Sequence, residues 1–198
     1  MSNLLMKVAL AIFVVLLGAV FFWQPISATF SNASITNDFI LQTTDGALDS
    51  KRLRGKVLAI VFGYAGCDAP CTNRLTKAVK AYEALNAQER GQVRMVLVSV
   101  DPEHDTPARI AEYARRIHPD MVGATGKPEE VKAVAEAFAA NYQKFEMKDG
   151  GYAIEVSPLT YIVAPDGRFV SVLNEAIAVD KAAAALRARI PATALPPK

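Results

Sequence analysis

The chain has 198 residues, 52% of them hydrophobic and 21% charged, enough for one ordinary domain with its own core and too little for two large ones. Its 22 basic and 20 acidic side chains leave a net charge of +2, and no run of Lys and Arg supplies a phosphate-neutralising stripe, which excludes nucleic-acid binding. Two Cys and two His are too few and wrongly spaced for a four-ligand structural zinc site, and no low-complexity tract or internal period points to disorder or a solenoid.

At the N-terminus, Val8–Trp23 reads VALAIFVVLLGAVFFW without a charge, behind Lys7. That is 16 apolar residues, or 20 when Leu4–Lys7 join with the lysine snorkelling to the headgroups. Phe21, Phe22 and Trp23 close the run with aromatics suited to a bilayer interface. The pattern predicts one N-terminal transmembrane helix in an anchor segment, residues 1–28. The competing reading is a cleaved signal peptide with Ser31-Asn32-Ala33 as its small-x-small site, for which the apolar run is somewhat long. In either reading Lys7 stays in the cytoplasm and the rest is exported to the periplasmic side of the inner membrane. Removing residues 1–28 leaves 21 basic against 20 acidic residues, and in that compartment a thiol pair can be oxidised and stay oxidised.

Residues 29–191 read as one domain. A short strand is expected at Phe39–Gln42 and a turn at Asp45-Gly46. Val57–Tyr64, VLAIVFGY, is a continuous β-branched run between Gly55 and Gly66, the pattern of a strand buried on both faces. Residues 72–90 carry Leu75, Val79, Tyr82 and Leu85 at helical spacing, and Val93–Val100 is a second buried strand, so a βαβ unit is predicted. Thr106-Pro107 opens a helix burying Ile110, Tyr113 and Ile117. Pro128 opens another, with Val131, Val134, Phe138 and Tyr142 on one face. Leu159–Ala164 and Arg168–Leu173 read as strands joined at Pro165-Asp166-Gly167, a helix follows from Val179 to Ile190, and residues 192–198 read as a loose tail. The sum is an α/β layered domain with a mixed sheet.

Cys67 and Cys71 fall where the first buried strand hands over to its helix, in Gly66-Cys67-Asp68-Ala69-Pro70-Cys71-Thr72. The carboxyl end of a parallel strand is where such sheets place their sites. Unpaired N–H groups and the positive end of the helix dipole favour a thiolate there, while Asp68 opposes it. As a plain staple the pair would close a loop of five residues and stabilise by only about 2 kcal/mol. Position and compartment favour a reactive pair.

The segments VFGYAGCDAPCT, VSVDPEHDTPARIAEYA and YIVAPDG together resemble the SCO/SenC proteins, across most of residues 35–190 plus the anchor. That resemblance implies a membrane-anchored, thioredoxin-like fold, a mixed central sheet flanked by helices, and a role in assembling the copper centre of cytochrome c oxidase. It also implies copper ligation by two Cys and one distant His, with the Cys pair able to exchange disulfides with a cysteine-containing client, an oxidase subunit. Carried across, Cys67 and Cys71 are the thiolate ligands. The His is not carried across: its stretch is Tyr152-Ala153-Ile154-Glu155-Val156-Ser157 here, and Val156 stands in its place. Pro158 stands where thioredoxin-like reductases carry a cis-proline facing the cysteines, which makes it a candidate catalytic residue and Ser157-Pro158 a candidate cis bond.

These departures favour thiol–disulfide exchange, which needs no His, over full three-ligand copper binding. The alternative is a metallochaperone holding copper through Cys67 and Cys71, with a substitute third ligand or none. His104 is the nearest substitute in the sequence, on the same sheet edge as the cysteines, although a solvated loop His is the simpler reading. His118 reads as a helix C-terminal residue, Met147 as a soft donor in principle but an ordinary exposed or gap-filling Met, and Asp101 and Asp105 as turn and cap residues. A thiol peroxidase is not supported, because no Pro-x-x-x-Thr-x-x-Cys pattern is present.

Overall fold

The computed structural model describes residues 37–66, 69–147 and 150–194. The apolar segment 1–28 lies outside them, and among the described residues no helix is long and apolar enough to cross a membrane. The chain opens with a hairpin of β1 (Ile40–Thr43) and β2 (Gly46–Asp49), turning at Thr44-Asp45, one residue ahead of the expected Asp45-Gly46. Next comes β3 (Val57–Gly63), all seven residues buried, then α1 (Ala69–Glu83), α2 (Ala87–Gly91) and β4 (Val93–Ser99). After these run α3 (Pro107–Ile117), β5 (Val122–Ala124), α4 (Pro128–Ala137), β6 (Tyr142–Glu146) and β7 (Tyr152–Val156). The chain continues through β8 (Leu159–Val163), β9 (Phe169–Asn174) and α5 (Val179–Arg187). A 3-10 turn over Ala192–Ala194 follows, and the Ala194 carbonyl accepts from Gln88 Nε2 at 3.2 Å.

The main sheet has five strands in the order β5-β4-β3-β8-β9. Strands β3, β4 and β5 are parallel, while β8 joins β3 and β9 antiparallel, so the sheet is mixed. Strand alternation sends Val57, Ala59 and Val61 to one face, where they pack with Leu75, Ile110 and Leu186 of α1, α3 and α5. Leu58, Ile60 and Phe62 face the other way, onto Val131, Val134 and Phe138 around α4 and onto Phe39, Ile154 and Tyr161. Because both faces are covered, β3 is apolar end to end, and β4 is apolar apart from Arg94 near its start and Ser99 at its end.

The helix expected over 72–90 is two helices. Asn86 interrupts it with a capping box: its side chain accepts from Glu89 N–H, and Glu89 Oε2 accepts from Asn86 N–H, both at 2.9 Å. Glu89 is 6% exposed and receives Arg187 Nε at 2.6 Å, which ties α2 to α5. That guanidinium, with the capping bond behind it, holds the Glu89 carboxyl below its ordinary 4.5. A depressed carboxyl pKa stabilises the fold fully above the unfolded value and loses that contribution as pH falls through the folded one. Arg187→Leu is therefore expected to lower stability by about 1–3 kcal/mol at neutral pH, with the deficit shrinking below pH 4.5, as urea titrations across pH will show.

Tyr142, expected on a helical face, instead begins β6. Helix α4 stops at Ala137 in a Schellman arrangement: Ala140 N–H reaches the Ala135 carbonyl at 2.8 Å and Ala139 N–H reaches Glu136 at 3.0 Å. The turn needs a left-handed residue, and Ala139 supplies it at φ 51° although its Cβ disfavours that region. Ala139→Gly is expected to raise stability by about 1 kcal/mol, read from the denaturation midpoint. The hairpin of β6 and β7 was not anticipated, nor was the three-residue β5.

Candidate functional site

The site lies where β3 and β4 end together. Their last paired residues are Gly63 and Ser99, and Val100 N–H still reaches the Gly63 carbonyl at 2.8 Å. Beyond that point the chain leaves the sheet. Cys67 lies outside the described residues, and Cys71 belongs by its backbone to the first turn of α1.

Two buried aspartates organise the facing loop after β4. Asp105, 1% exposed, accepts from Ser99 Oγ at 2.6 Å and Ala65 N–H at 2.9 Å through the same oxygen, with Arg109 Nε 3.3 Å from the other. It is not the helix cap, since Thr106 Oγ1 accepts from Arg109 N–H. Asp101, 4% exposed, receives the Tyr152 hydroxyl from β7, and His104 Nδ1 lies 2.9 Å from its Oδ1. Both backbone N–H groups of His104 and Asp105 turn back onto the Asp101 carbonyl. This single loop therefore bonds to the chain just ahead of the cysteines and to the β6–β7 hairpin.

The His104 ring stacks on Tyr152 with centroids 5.0 Å apart, and Lys144 Nζ sits 4.2 Å from the Tyr152 centroid while pairing with Glu103 at 3.1 Å. Burial first, and the Asp101 carboxylate second, push the Tyr152 hydroxyl up to about 12, so at neutral pH it is an O–H donor. His104 Nδ1 faces the Asp101 carboxylate, and the side chain is 46% exposed. Local sequence signals missed Tyr152, which bonds to Asp101 across a separation of 51 residues.

Val156 ends β7 opposite Tyr142 and is 4% exposed within the apolar cluster that holds Phe62, Tyr64 and Tyr161. It offers carbon alone. Pro158 is exposed between β7 and β8, in the wall of an apolar cleft with Val61, Ala78 and Leu173. The Ser157-Pro158 bond, a candidate for either isomer in the sequence, is trans, since no cis bond occurs among the described residues. Around it, Ser157 N–H reaches the Asn141 carbonyl at 2.8 Å, and Leu159 N–H turns back to the Ser157 carbonyl at 2.9 Å. His118 caps the C-terminus of α3, its Nδ1 accepting from Asp120 N–H at 3.1 Å, and Met147 is 47% exposed beside the hairpin turn.

A model of the SCO1/SenC family matches residues 27–191. The SCO1 homolog 1 of Arabidopsis thaliana mitochondria is 35% identical over 139 residues, 70% of this chain and 42% of that protein, so the chain spans less than half of that relative. The copper-bound structure of Bradyrhizobium japonicum ScoI superposes with a TM-score of 0.71 at 33% identity, covering 78% of this chain and 99% of that one. Apo Sco1 of Thermus thermophilus superposes at 0.69 with 33% identity, covering 77% and 90%.

Proposed function

Because the chain belongs to the SCO1/SenC family, we propose that it serves the assembly of the cytochrome c oxidase copper centre by thiol–disulfide exchange through Cys67 and Cys71. The observation that carries this reading is Val156. At the position where the resemblance expects an imidazole, the side chain is aliphatic and 4% exposed among aromatic neighbours. A three-donor copper set does not fit there, whereas exchange between sulfurs needs two thiols alone.

In the exchange, one thiolate attacks a sulfur of a client disulfide, forming a mixed disulfide and releasing one client thiolate. The second thiolate then attacks the bonded sulfur of the first Cys, closing Cys67–Cys71 and releasing the other client thiolate. Two electrons pass from the pair to the client, and the reverse sequence oxidises the client. The loop of Asp101–Thr106 frames the chain that enters the cysteine segment, and Pro158 lines the apolar cleft on the other side of β3.

The client in this reading is a cysteine-bearing oxidase subunit, met at a membrane surface to which residues 1–28 anchor the exported domain. Alkaline carbonate extraction of membranes tests the anchor: the chain should stay in the pellet, and release into the supernatant contradicts it. The chemistry is tested by mixing the reduced protein with a disulfide-closed peptide. Stoichiometric release of two peptide thiols supports exchange, and none refutes it. No turnover of hydrogen peroxide is expected.

A second reading is copper carriage by Cys67 and Cys71. One observation favours it: Asp101 holds His104 Nδ1, as carboxylates hold metal-ligating histidines, and this leaves Nε2 as a nitrogen donor.

A further inference from the structure

Asp105 has the burial and charge of a group with a task, yet neither helix capping nor the hairpin uses it. Thr106 caps α3, and Asp101 holds Tyr152 and His104. The Asp105 carboxylate instead joins two strand ends. Its Oδ2 takes the Ser99 hydroxyl from the last residue of β4 and the Ala65 N–H from the chain that has just left β3. The parallel ladder stops at Gly63, so a side-chain carboxylate takes over where the sheet no longer supplies an acceptor. At 1% exposure this oxygen has no water to replace a lost donor, and a hydrogen bond to a charged acceptor is about twice as strong as a neutral one.

Ala65 lies two residues before Cys67 in the sequence. We propose that Asp105 is a positioning residue for the thiol chemistry: by clamping Ala65 N–H it fixes where the chain enters the Cys67–Cys71 segment and so sets how readily the two sulfurs close on one another. Disulfide closure tolerates only a narrow range of Cα and Cβ separations, so freeing one approach lowers the effective concentration of one thiol at the other. The proposal rests on the exchange reading above.

The test equilibrates the full chain with glutathione buffers. Closure follows one balanced reaction, in which two protein thiols and one oxidised glutathione give the protein disulfide and two reduced glutathiones. Asp105→Ala is expected to lower the closure constant by about tenfold or more, a shift of about 30 mV towards a less stable disulfide. Asp105→Asn keeps an acceptor oxygen in place and should stay within about threefold of the unaltered chain. Ser99→Ala removes the other donor on the same oxygen but leaves the Ala65 clamp, and it too should stay within about threefold. An unchanged constant in Asp105→Ala, or an equal fall in Ser99→Ala, overturns the proposal.

Amide hydrogen exchange in the unaltered chain gives a second readout that no folding defect can obscure. Ala65 N–H should exchange about tenfold or more slowly than in an unstructured peptide, and exchange at the free rate overturns the clamp. If the unaltered chain closes no reversible disulfide, the exchange reading fails by itself, while Ala65 protection still reports on Asp105.

Discussion

Replacing either cysteine by serine is expected to abolish disulfide exchange, with a loss on the order of a thousandfold or more, because a hydroxyl does not replace a thiolate nucleophile at neutral pH. The two variants should fail differently. When the attacking Cys is missing, no mixed disulfide forms. When the resolving Cys is missing, the mixed disulfide forms and persists, because the second displacement has no nucleophile. Mass spectrometry of each variant after incubation with a disulfide-closed peptide identifies which of Cys67 and Cys71 attacks. Any loss of stability should stay within about 2 kcal/mol, the contribution of a five-residue disulfide loop. Equal exchange rates in the unaltered chain and both variants would contradict the reading.

Val156→His is expected to tighten Cu(I) binding by roughly two orders of magnitude, a gain of about 2.7 kcal/mol from one added donor. The same change should lower folding stability by about 1–3 kcal/mol, because it places a polar ring at a 4% exposed position in the cluster of Phe62, Tyr64 and Tyr161. The two effects oppose each other, so copper should stabilise the variant far more than the unaltered chain. Competition with a Cu(I) chelator measures the first and thermal unfolding with and without Cu(I) the second. Equal copper affinities in the two proteins would show that Val156 is not what limits copper binding.

Much of the sheet was legible in the sequence, and the reason is burial. Strands β3 and β4 are covered on both faces, so their residues are apolar apart from Arg94 and Ser99 of β4, and short runs rich in β-branched residues mark them as strands. The β6–β7 hairpin is the opposite case. Gln143, Lys144, Phe145 and Glu146 are all exposed, which erases the alternation that marks a strand, and the register is held by pairing with β7 instead. The helical spacing of Leu75, Val79, Tyr82 and Leu85 runs past Glu83, where α1 ends, and so hides the break before Asn86, whose capping box begins α2.

At the site, the sequence marked the cysteines by their position after β3 and marked Val156 by the resemblance. It gave Asp101 and Asp105 the roles of turn and cap residues, because aspartates ahead of a helix most often serve locally. Beside their local partners, Asp101 also bonds to Tyr152 and Asp105 to Ala65, 51 and 40 residues away, and no local pattern encodes such bonds. From the sequence His104 reads most simply as a solvated loop residue. Its side chain is indeed 46% exposed, but Asp101 and the Tyr152 ring hold it in one orientation.

The most direct measurement of the central claim is a redox titration of the purified chain against glutathione, run with and without Cu(I). The account predicts a reversible two-electron transition of Cys67 and Cys71 that Cu(I) shifts less than it would in a site with a third donor, because two sulfurs without the imidazole hold the ion less tightly than three donors do. A chain that retains Cu(I) against strong chelators while its cysteines exchange sluggishly would contradict it.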